Sequence, residues 1–361
     1  MKAQIILLIS LLTGMSALAQ NPAYKLFRED GRKVKYEKML ESASEADIVL
    51  FGEYHTNPIS HWLQLELTTD LLERKGDNLM LGAEMFEADN QLILDEYLAG
   101  WITEAKFEEE ARLWKNYMTD YKPLVELAKE NELTFVATNI PRRYANMVFK
   151  KGVVSLDSLS EEARSYIAPL PLVYDTSLSC YKQLMGSGSG SMAGADMPES
   201  PNPESPNPES PVSKVPMHGT HHGDTLTTKG ETHSTKVDTL SAKADSISPM
   251  GRSKMPLRSM SPMGGHGSIN LADAQAIKDA TMSHFILENW EPGKLLVHYH
   301  GAYHSDEYES IYWFLKRENP DLKIVTISTV SQDEVGTLEE DSRGKADFII
   351  AVPSNMTQTH R

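Results

Sequence analysis

Apolar and polar positions along the chain follow two periods. Short runs rich in Val, Ile, Leu and Phe, without strict alternation, stand at 47–51 (DIVLF), 78–83 (NLMLGA), 133–138 (LTFVAT), 294–299 (KLLVHY), 322–328 (LKIVTIS) and 346–352 (ADFIIAV). Runs of this length with no polar face suit strands covered on both sides, as in a parallel sheet. Helical spacing fills the stretches between them. Asn57-Pro58 predicts an N-cap with proline at the first helical position, followed by an apolar stripe at Ile59, Trp62, Leu63, Leu67 and Leu71. Asp306 and Glu309 predict a reciprocal capping pair ahead of Ile311, Tyr312 and Leu315. A long helix is expected to start at Asn270 or Asp273 and to end near Trp290, before Pro292-Gly293. Strands alternating with helices across short connections imply an α/β domain with a mainly parallel central sheet flanked by helices.

Residues 186–268 break this pattern. They open with GSGSGS, run into PESPNPESPNPESP, and contain no Phe, Tyr or Trp. Such a segment cannot bury enough surface to offset its ordering entropy, so a disordered insert is expected. It holds five histidines (His218, His221, His222, His233, His266) and seven methionines. Either a polar linker or a loose metal- or haem-capturing tether accounts for that composition. Residues 20–185 and 269–361 then form one discontinuous domain. At the start, residues 1–19 carry a lysine, an apolar run and Ala17-Leu18-Ala19, the pattern of a cleaved secretory signal peptide. No cysteine follows for a lipid anchor and no later segment reads as transmembrane. The expected location is exported, periplasmic or outer-membrane associated. A formal net charge of −16 argues against nucleic acid as a partner. Cys180 is the only cysteine, so an internal disulfide is excluded and a hydrophobic core must hold the fold.

Ligands of open parallel sheets sit beyond the carboxyl ends of the strands. The unusual polar residues here fall at those ends. Glu53 and His55 follow the first apolar run, Glu84 closes the second, Asn139 closes the third with Arg142 and Arg143 beyond, and His300 and His304 close the fourth. Gly-x-x-His occurs twice, at Gly52 to His55 and at Gly301 to His304. His298 and His300 should share one face of a strand, with Tyr299 on the other. His-x-His is a metal-ligand spacing, to which His304 or His55 could add a third nitrogen and Glu53 or Glu84 a carboxylate or a general base. A hydrogen-bonded structural cluster explains the same residues. Glu87, His61 and His284 read as helical positions without a partner.

The stretches LFGEYHTNPISHWLQLEL, LGAEMFEADNQLILDEYLAG, FVATNIPRRYANMV, DAQAIKDATMSHFI and LVHYHGAYHSD resemble, in order, the blocks of the ChaN-like haem-binding uptake proteins. That family belongs to the Tiki superfamily, beside metalloproteases and erythromycin-esterase-like proteins. The resemblance implies an α/β fold and an exported bacterial protein of haem or iron acquisition. It further implies haem held non-covalently by an axial tyrosine, a homodimer that can share the haem, and an outer-membrane haem uptake system as partner. Motif by motif, Glu53, His55, Glu84, Asn139, Arg142, Asp279, Met282 and His304 occupy the family's pocket positions. The axial tyrosine should lie between TNIPRR and DATM, where this chain offers Tyr174 and Tyr181 and where the insert interrupts the family pattern. On this reading haem contacts come from Tyr174, Tyr181, Asn139, Arg142, Asp279, Met282 and His300, with a divalent metal ion at His55, Glu53, Glu84 and His304. A phenolate suits ferric haem, and arginines suit propionates. The alternative is a metal-dependent hydrolase, a peptidase or esterase, with Glu53 and Glu84 as catalytic carboxylates. An interaction module that recruits a partner through its insert is a third class.

Overall fold

The computed structural model describes residues 22–186 and 266–360. The expected signal peptide, and residues 187–265 of the expected insert with four of its five histidines, lie outside the described residues. Seven strands make one sheet: β1 (Lys25–Arg28), β2 (Ile48–Glu53), β3 (Leu79–Glu87), β4 (Thr134–Asn139), β5 (Leu295–Gly301), β6 (Ile324–Gln332) and β7 (Phe348–Pro353). Their spatial order is β1-β7-β6-β2-β5-β3-β4, with β1 antiparallel to β7 and every other neighbour pair parallel. The six strands expected from apolar runs are all present. The added edge strand β1 is only four residues long, too short to read as a run.

Among the described residues, ten α-helices flank the strands: α1 (Tyr36–Ser44), α2 (Pro58–Lys75), α3 (Gln91–Leu98), α4 (Glu104–Glu110), α5 (Lys122–Glu130), α6 (Arg142–Lys151), α7 (Glu161–Arg164), α8 (Ser179–Gly186), α9 (His266–Asn289) and α10 (Ile311–Glu318). Strand alternation sorts them into two layers. Val49, Phe51, Leu81 and Tyr299 face a core completed by Met39 of α1, Leu63 and Leu67 of α2, and Val125 of α5. Ile48, Leu50, Met80 and Leu296 face the opposite layer, where Met282 and Ile286 of α9 and Ile311 and Leu315 of α10 close over them. Met282 is therefore a fully buried core residue.

Several local expectations need correction. Asn57 does cap α2, its Oδ1 accepting from the N–H of Ile59 and Ser60 at 3.0 Å. The stripe behind it differs: Trp62 is 45 % exposed, while His61, Gln64 and Thr68 are buried among the leucines. Asp306 and Glu309 do not cap α10. Asp306 binds Ser328 and Lys345, Glu309 caps α8 instead, and Ser310 precedes α10 without a side-chain cap bond. The long helix ends as expected, but it starts at His266, upstream of Asn270 because Asn270 and Asp273 are engaged sideways with Phe149 and Tyr174. Its first turn thus takes His266 out of the expected insert.

Register brings the two glycine-histidine turns together. β2 and β5 are parallel neighbours, with Gly52 opposite His300 and Glu53 opposite Gly301. A Cβ at Gly52 would stand 2.8 Å from the Ala302 Cα, and one at Gly301 would stand 2.7 Å from the His55 Nε2. Each glycine therefore makes room for the other turn. The two contacts differ in compliance, because Gly52 meets backbone and Gly301 meets the far end of a ring. Gly52→Ala should lower the unfolding free energy by about 1–3 kcal/mol, the range for overpacking a close-packed interior. Gly301→Ala should cost less, since His55 can swing away. Urea denaturation of both variants checks the order, and equal stability of Gly52→Ala and wild type would contradict it.

Candidate functional site at the carboxyl edge of the sheet

Glu53, the last residue of β2, points into the α2 layer and is buried. Its carboxylate accepts from the Tyr121 hydroxyl at 2.7 Å, from the Gln64 amide at 2.6 Å and from the His55 Nδ1 at 2.9 Å. Burial alone would raise its pKa, but the fields of His61 and His55 and these donors bring it below the usual carboxylate value. The same pairing raises the pKa of His55 against the effect of burial. The His55 ring meets Trp114 edge-on at 5.0 Å, and its side chain keeps 16 % exposure. His61 is no partnerless helix residue, contrary to expectation. It bonds Gln64 at 3.0 Å and the His55 carbonyl at 2.9 Å, and so steadies the turn that carries His55. Asn116 donates to the same carbonyl at 2.8 Å, and Thr359, near the chain's other end, bonds Thr56 and Asp120.

The second turn is built on the α9 side. Glu84 of β3 accepts from the Gly301 N–H at 2.9 Å and lies 3.3 Å from the His304 Nε2. The other His304 nitrogen is bonded to Asp279 of α9. Burial opposes a charge on this ring, yet the flanking Glu84 and Asp279 raise its pKa to about 10, so His304 is an imidazolium at neutral pH. In return, against the effect of burial, its charge holds Glu84 well below the usual carboxylate range. The second oxygen of Asp279 accepts the Tyr181 hydroxyl at 2.7 Å. A continuous buried chain thus runs Glu84–His304–Asp279–Tyr181.

Deeper on the same face, His298 and His300 stack with ring centroids 5.1 Å apart. Their Nδ1 atoms are 3.0 Å apart, and the His300 Nδ1 is also 3.2 Å from the His298 carbonyl. A carbonyl only accepts, so this geometry assigns the proton of His300 to Nδ1. His298 then bonds Thr138 through Nε2 at 2.7 Å. The lone pair of the His300 Nε2 is left buried without a partner among the described residues. Burial and the neighbouring His304 charge push the His300 pKa down to about 3, and burial beside the His300 ring lowers that of His298. Both rings are neutral. Tyr299 points to the other face and bonds Thr68 at 2.5 Å.

The candidate iron ligands sit beside α9. The Tyr174 hydroxyl donates to Asp273 at 2.6 Å and its ring meets that of Tyr181 edge-on at 4.9 Å. Tyr181 is fully buried; Tyr174 is half-buried, next to Val173 at 62 % exposure. Burial and a neighbouring carboxylate raise both phenol pKa values. Leu172, Leu178, Leu184 and Met185 pack around the two rings. Cys180 is buried among them, its thiol pushed up to about 12 by burial, which makes it a packing residue. Asn139 donates to the Glu84 carbonyl at 3.0 Å, with its Oδ1 buried and unpartnered among the described residues.

Glu87 lies on a strand, not a helix, and anchors an ion cluster: Arg112 at 3.0 Å and Arg142 at 3.9 Å, while Arg143 pairs with Asp89 at 2.6 Å. His284 stays apart from the site and meets Phe285. Of the residues expected to hold a divalent ion, His55 pairs with Glu53 and His304 with Glu84. No group of three or more His, Cys, Asp or Glu among the described residues is arranged to hold a metal ion.

Sequence reasoning missed His61, Gln64, Tyr121, Asp273 and Thr138. A signal existed for the first two: with Thr68 they put polar residues three and four apart within the leucine stripe of α2. Tyr121, Asp273 and Thr138 carry no such mark, because their partners are distant in the chain.

The comparisons with known proteins agree with this architecture. A solved structure described as cofacial heme binding to ChaN of Campylobacter jejuni matches with a TM-score of 0.56 at 15 % identity, covering 92 % of this chain and 98 % of that one. No curated protein sequence matches the chain. The family described as haem-binding uptake, Tiki superfamily, ChaN, matches residues 39–315, well over half of the length, and the chain belongs to that family.

Proposed function

We propose that this chain binds haem non-covalently through Tyr174, as an exported protein of haem or iron acquisition. Family membership supports the ligand class, and residues 1–19 support export. No helix among the described residues is long and apolar enough to cross a membrane. The observation that carries the tyrosine assignment is the Tyr174–Asp273 pair. Of Tyr174 and Tyr181, Tyr174 alone keeps part of its surface open. Tyr181 is sealed, and its phenolate would stand against buried Asp279.

The residues present fit the group. Ferric haem supplies a positive iron centre that favours a phenolate over a phenol. Burial and Asp273 keep Tyr174 protonated in the free protein, so ligation displaces one proton. Asp273 Oδ1, already at hydrogen-bond distance, can receive it and keep it beside the phenolate oxygen. Exposed Val173 and half-buried Leu172 offer apolar cover, and Arg142, 3.9 Å from its nearest carboxylate, retains donors for a propionate. Haem shared between two copies of the chain is part of the same reading, and sedimentation with and without hemin tests it.

A hydrolase reading has one observation in its favour. Glu53 holds the Nδ1 of the part-exposed His55 ring, which leaves Nε2 as the nitrogen free to act as a general base. No group of three or more His, Cys, Asp or Glu among the described residues is arranged to hold the metal ion that this reading calls for.

Two expected outcomes test the haem proposal. In hemin titrations followed by the Soret band, wild type should saturate at a defined stoichiometry. Tyr174→Phe should lose affinity by roughly 100-fold, as for loss of a charge-assisted ligand bond. Tyr181→Phe should stay within about tenfold of wild type. Equal loss in both variants, or none in Tyr174→Phe, would overturn the assignment. The second outcome concerns pH. When Asp273 keeps the displaced proton, hemin affinity should be nearly flat across neutral pH. In Asp273→Asn the proton must leave for solvent, so affinity should drop and then rise about tenfold per pH unit. Parallel pH profiles for the two proteins would exclude Asp273 as the acceptor.

A further inference from the structure

The turn that begins at Gly301 and runs to Ser310 holds the start of α8 from several sides. The Tyr303 hydroxyl donates to the Cys180 carbonyl. Glu309 accepts the backbone N–H of Ser179 at 2.9 Å and of Cys180 at 2.8 Å, and Glu307 accepts from the Ser179 hydroxyl at 2.9 Å. His304 pairs with Asp279, which in turn accepts the Tyr181 hydroxyl at 2.7 Å. Both ends of the Tyr181 ring system are thereby fixed, the backbone at the helix start and the hydroxyl at α9.

The turn is shaped for this at a conformational cost. Glu307, Tyr308 and Ser310 have φ of 60°, 60° and 51°, the left-handed region that residues with a side chain normally avoid. Strained residues of this kind persist where the surroundings over-determine them. Here the backbone of Glu307 is also tied to the Lys345 carbonyl at 2.8 Å, and Ser310 is fully buried. The strain delivers the Glu309 carboxylate to two N–H groups of α8, where the helix N-terminus favours an anion.

Tyr174 has far less of its own to hold it. Its hydroxyl has the single bond to Asp273, and its ring leans on the ring of Tyr181. We propose that the second histidine turn is a positioning device for Tyr174, acting through Asp279, Tyr181 and α8, and not a ligand site in its own right. The proposal rests on the reading that Tyr174 takes the iron. It also separates two motifs that look alike in sequence. The first turn, at Glu53 and His55, makes its bonds to Gln64, Tyr121, His61 and Asn116, all in the α2 layer.

The test uses the full chain and three variants. Asp279→Asn removes the carboxylate shared by His304 and Tyr181, and Glu309→Gln weakens the cap on α8. Asp120→Asn is the control, a buried carboxylate whose partners are Asn116, Thr359 and, at 3.5 Å, His61. In the hemin-free protein, amide exchange of residues 174–186 should accelerate at least tenfold in the first two variants and stay within twofold of wild type in the control. Hemin affinity should fall roughly tenfold in Asp279→Asn, with a broadened phenolate-to-iron absorption band, and stay within twofold in Asp120→Asn. Unchanged exchange in Asp279→Asn overturns the proposal whether or not hemin binds. Faster exchange with wild-type affinity and spectrum overturns it as well, because the seat would then not matter to the ligand. Failure of wild type to bind hemin would instead sink the Tyr174 reading, and the exchange result would still decide whether this turn seats α8. A further variant beyond these three, Tyr303→Phe, keeps the carboxylates intact and should reproduce a smaller part of the exchange effect.

Discussion

The imidazolium of His304, enclosed between Glu84 and Asp279, is the interaction on which the rest of the site depends. All three side chains are buried. The His304 ring could not stay charged there alone, since an isolated buried charge is strongly disfavoured and would neutralise. Together they fix one another: Glu84 is also held by the Gly301 N–H, and Asp279 by the Tyr181 hydroxyl. Breaking such a set by removing one partner typically costs about 3–5 kcal/mol, because the remaining charge is stranded. The arrangement is therefore all-or-none. It ties strand β3, the turn after β5, helix α9 and helix α8 at one point, and the tyrosine segment inherits its position from that point.

Parallel pairing of β2 with β5 is what makes this convergence cheap in chain length. Two strands that run side by side in the same direction end side by side, and their following turns meet whatever lies between them in sequence. The alternation of side chains then divides the labour. Glu53 faces the α2 layer and organises His55, while Glu84 and His300 face the α9 layer with His304. The His55 ring, lying over Gly301, bridges the two. The carboxyl edge is thus two polar networks on opposite faces of one sheet. Each is nearly saturated by its own hydrogen bonds. The His300 Nε2 and the Asn139 Oδ1 are exceptions that stay unpartnered among the described residues.

Much of this was legible in the residues. Continuous apolar runs such as DIVLF and KLLVHY identify doubly covered strands, and period two correctly separates His298 and His300 from Tyr299. The gathering of Glu53, His55, Glu84, Asn139 and His304 at strand ends follows from the same pattern. What failed, failed for reasons of distance. Glu309 was three residues from Asp306 and looked like half of a capping box, but the groups it serves are the N–H of Ser179 and Cys180, far along the chain. His61 looked idle because its partners, the His55 carbonyl and the Glu53 network, arrive only through folding. Spacing can say that a histidine stands at an edge; it cannot say whether a carboxylate or an ion will satisfy it. Here carboxylates do so, and the metal-ligand spacing of His-x-His is spent on a stacked neutral pair.

In the proposed reading, the tyrosine segment joins that scaffold to haem. Tyr181 is its fixed inner wall and Tyr174 its open outer face, each hydroxyl set on an aspartate of α9. Resonance Raman spectroscopy of the ferric haem complex tests the central assignment most directly. The account predicts phenolate vibrations coupled to iron in wild type and in Tyr181→Phe, and their absence in Tyr174→Phe. Phenolate modes that survive in Tyr174→Phe, or an imidazole-ligated spectrum in wild type, would contradict it.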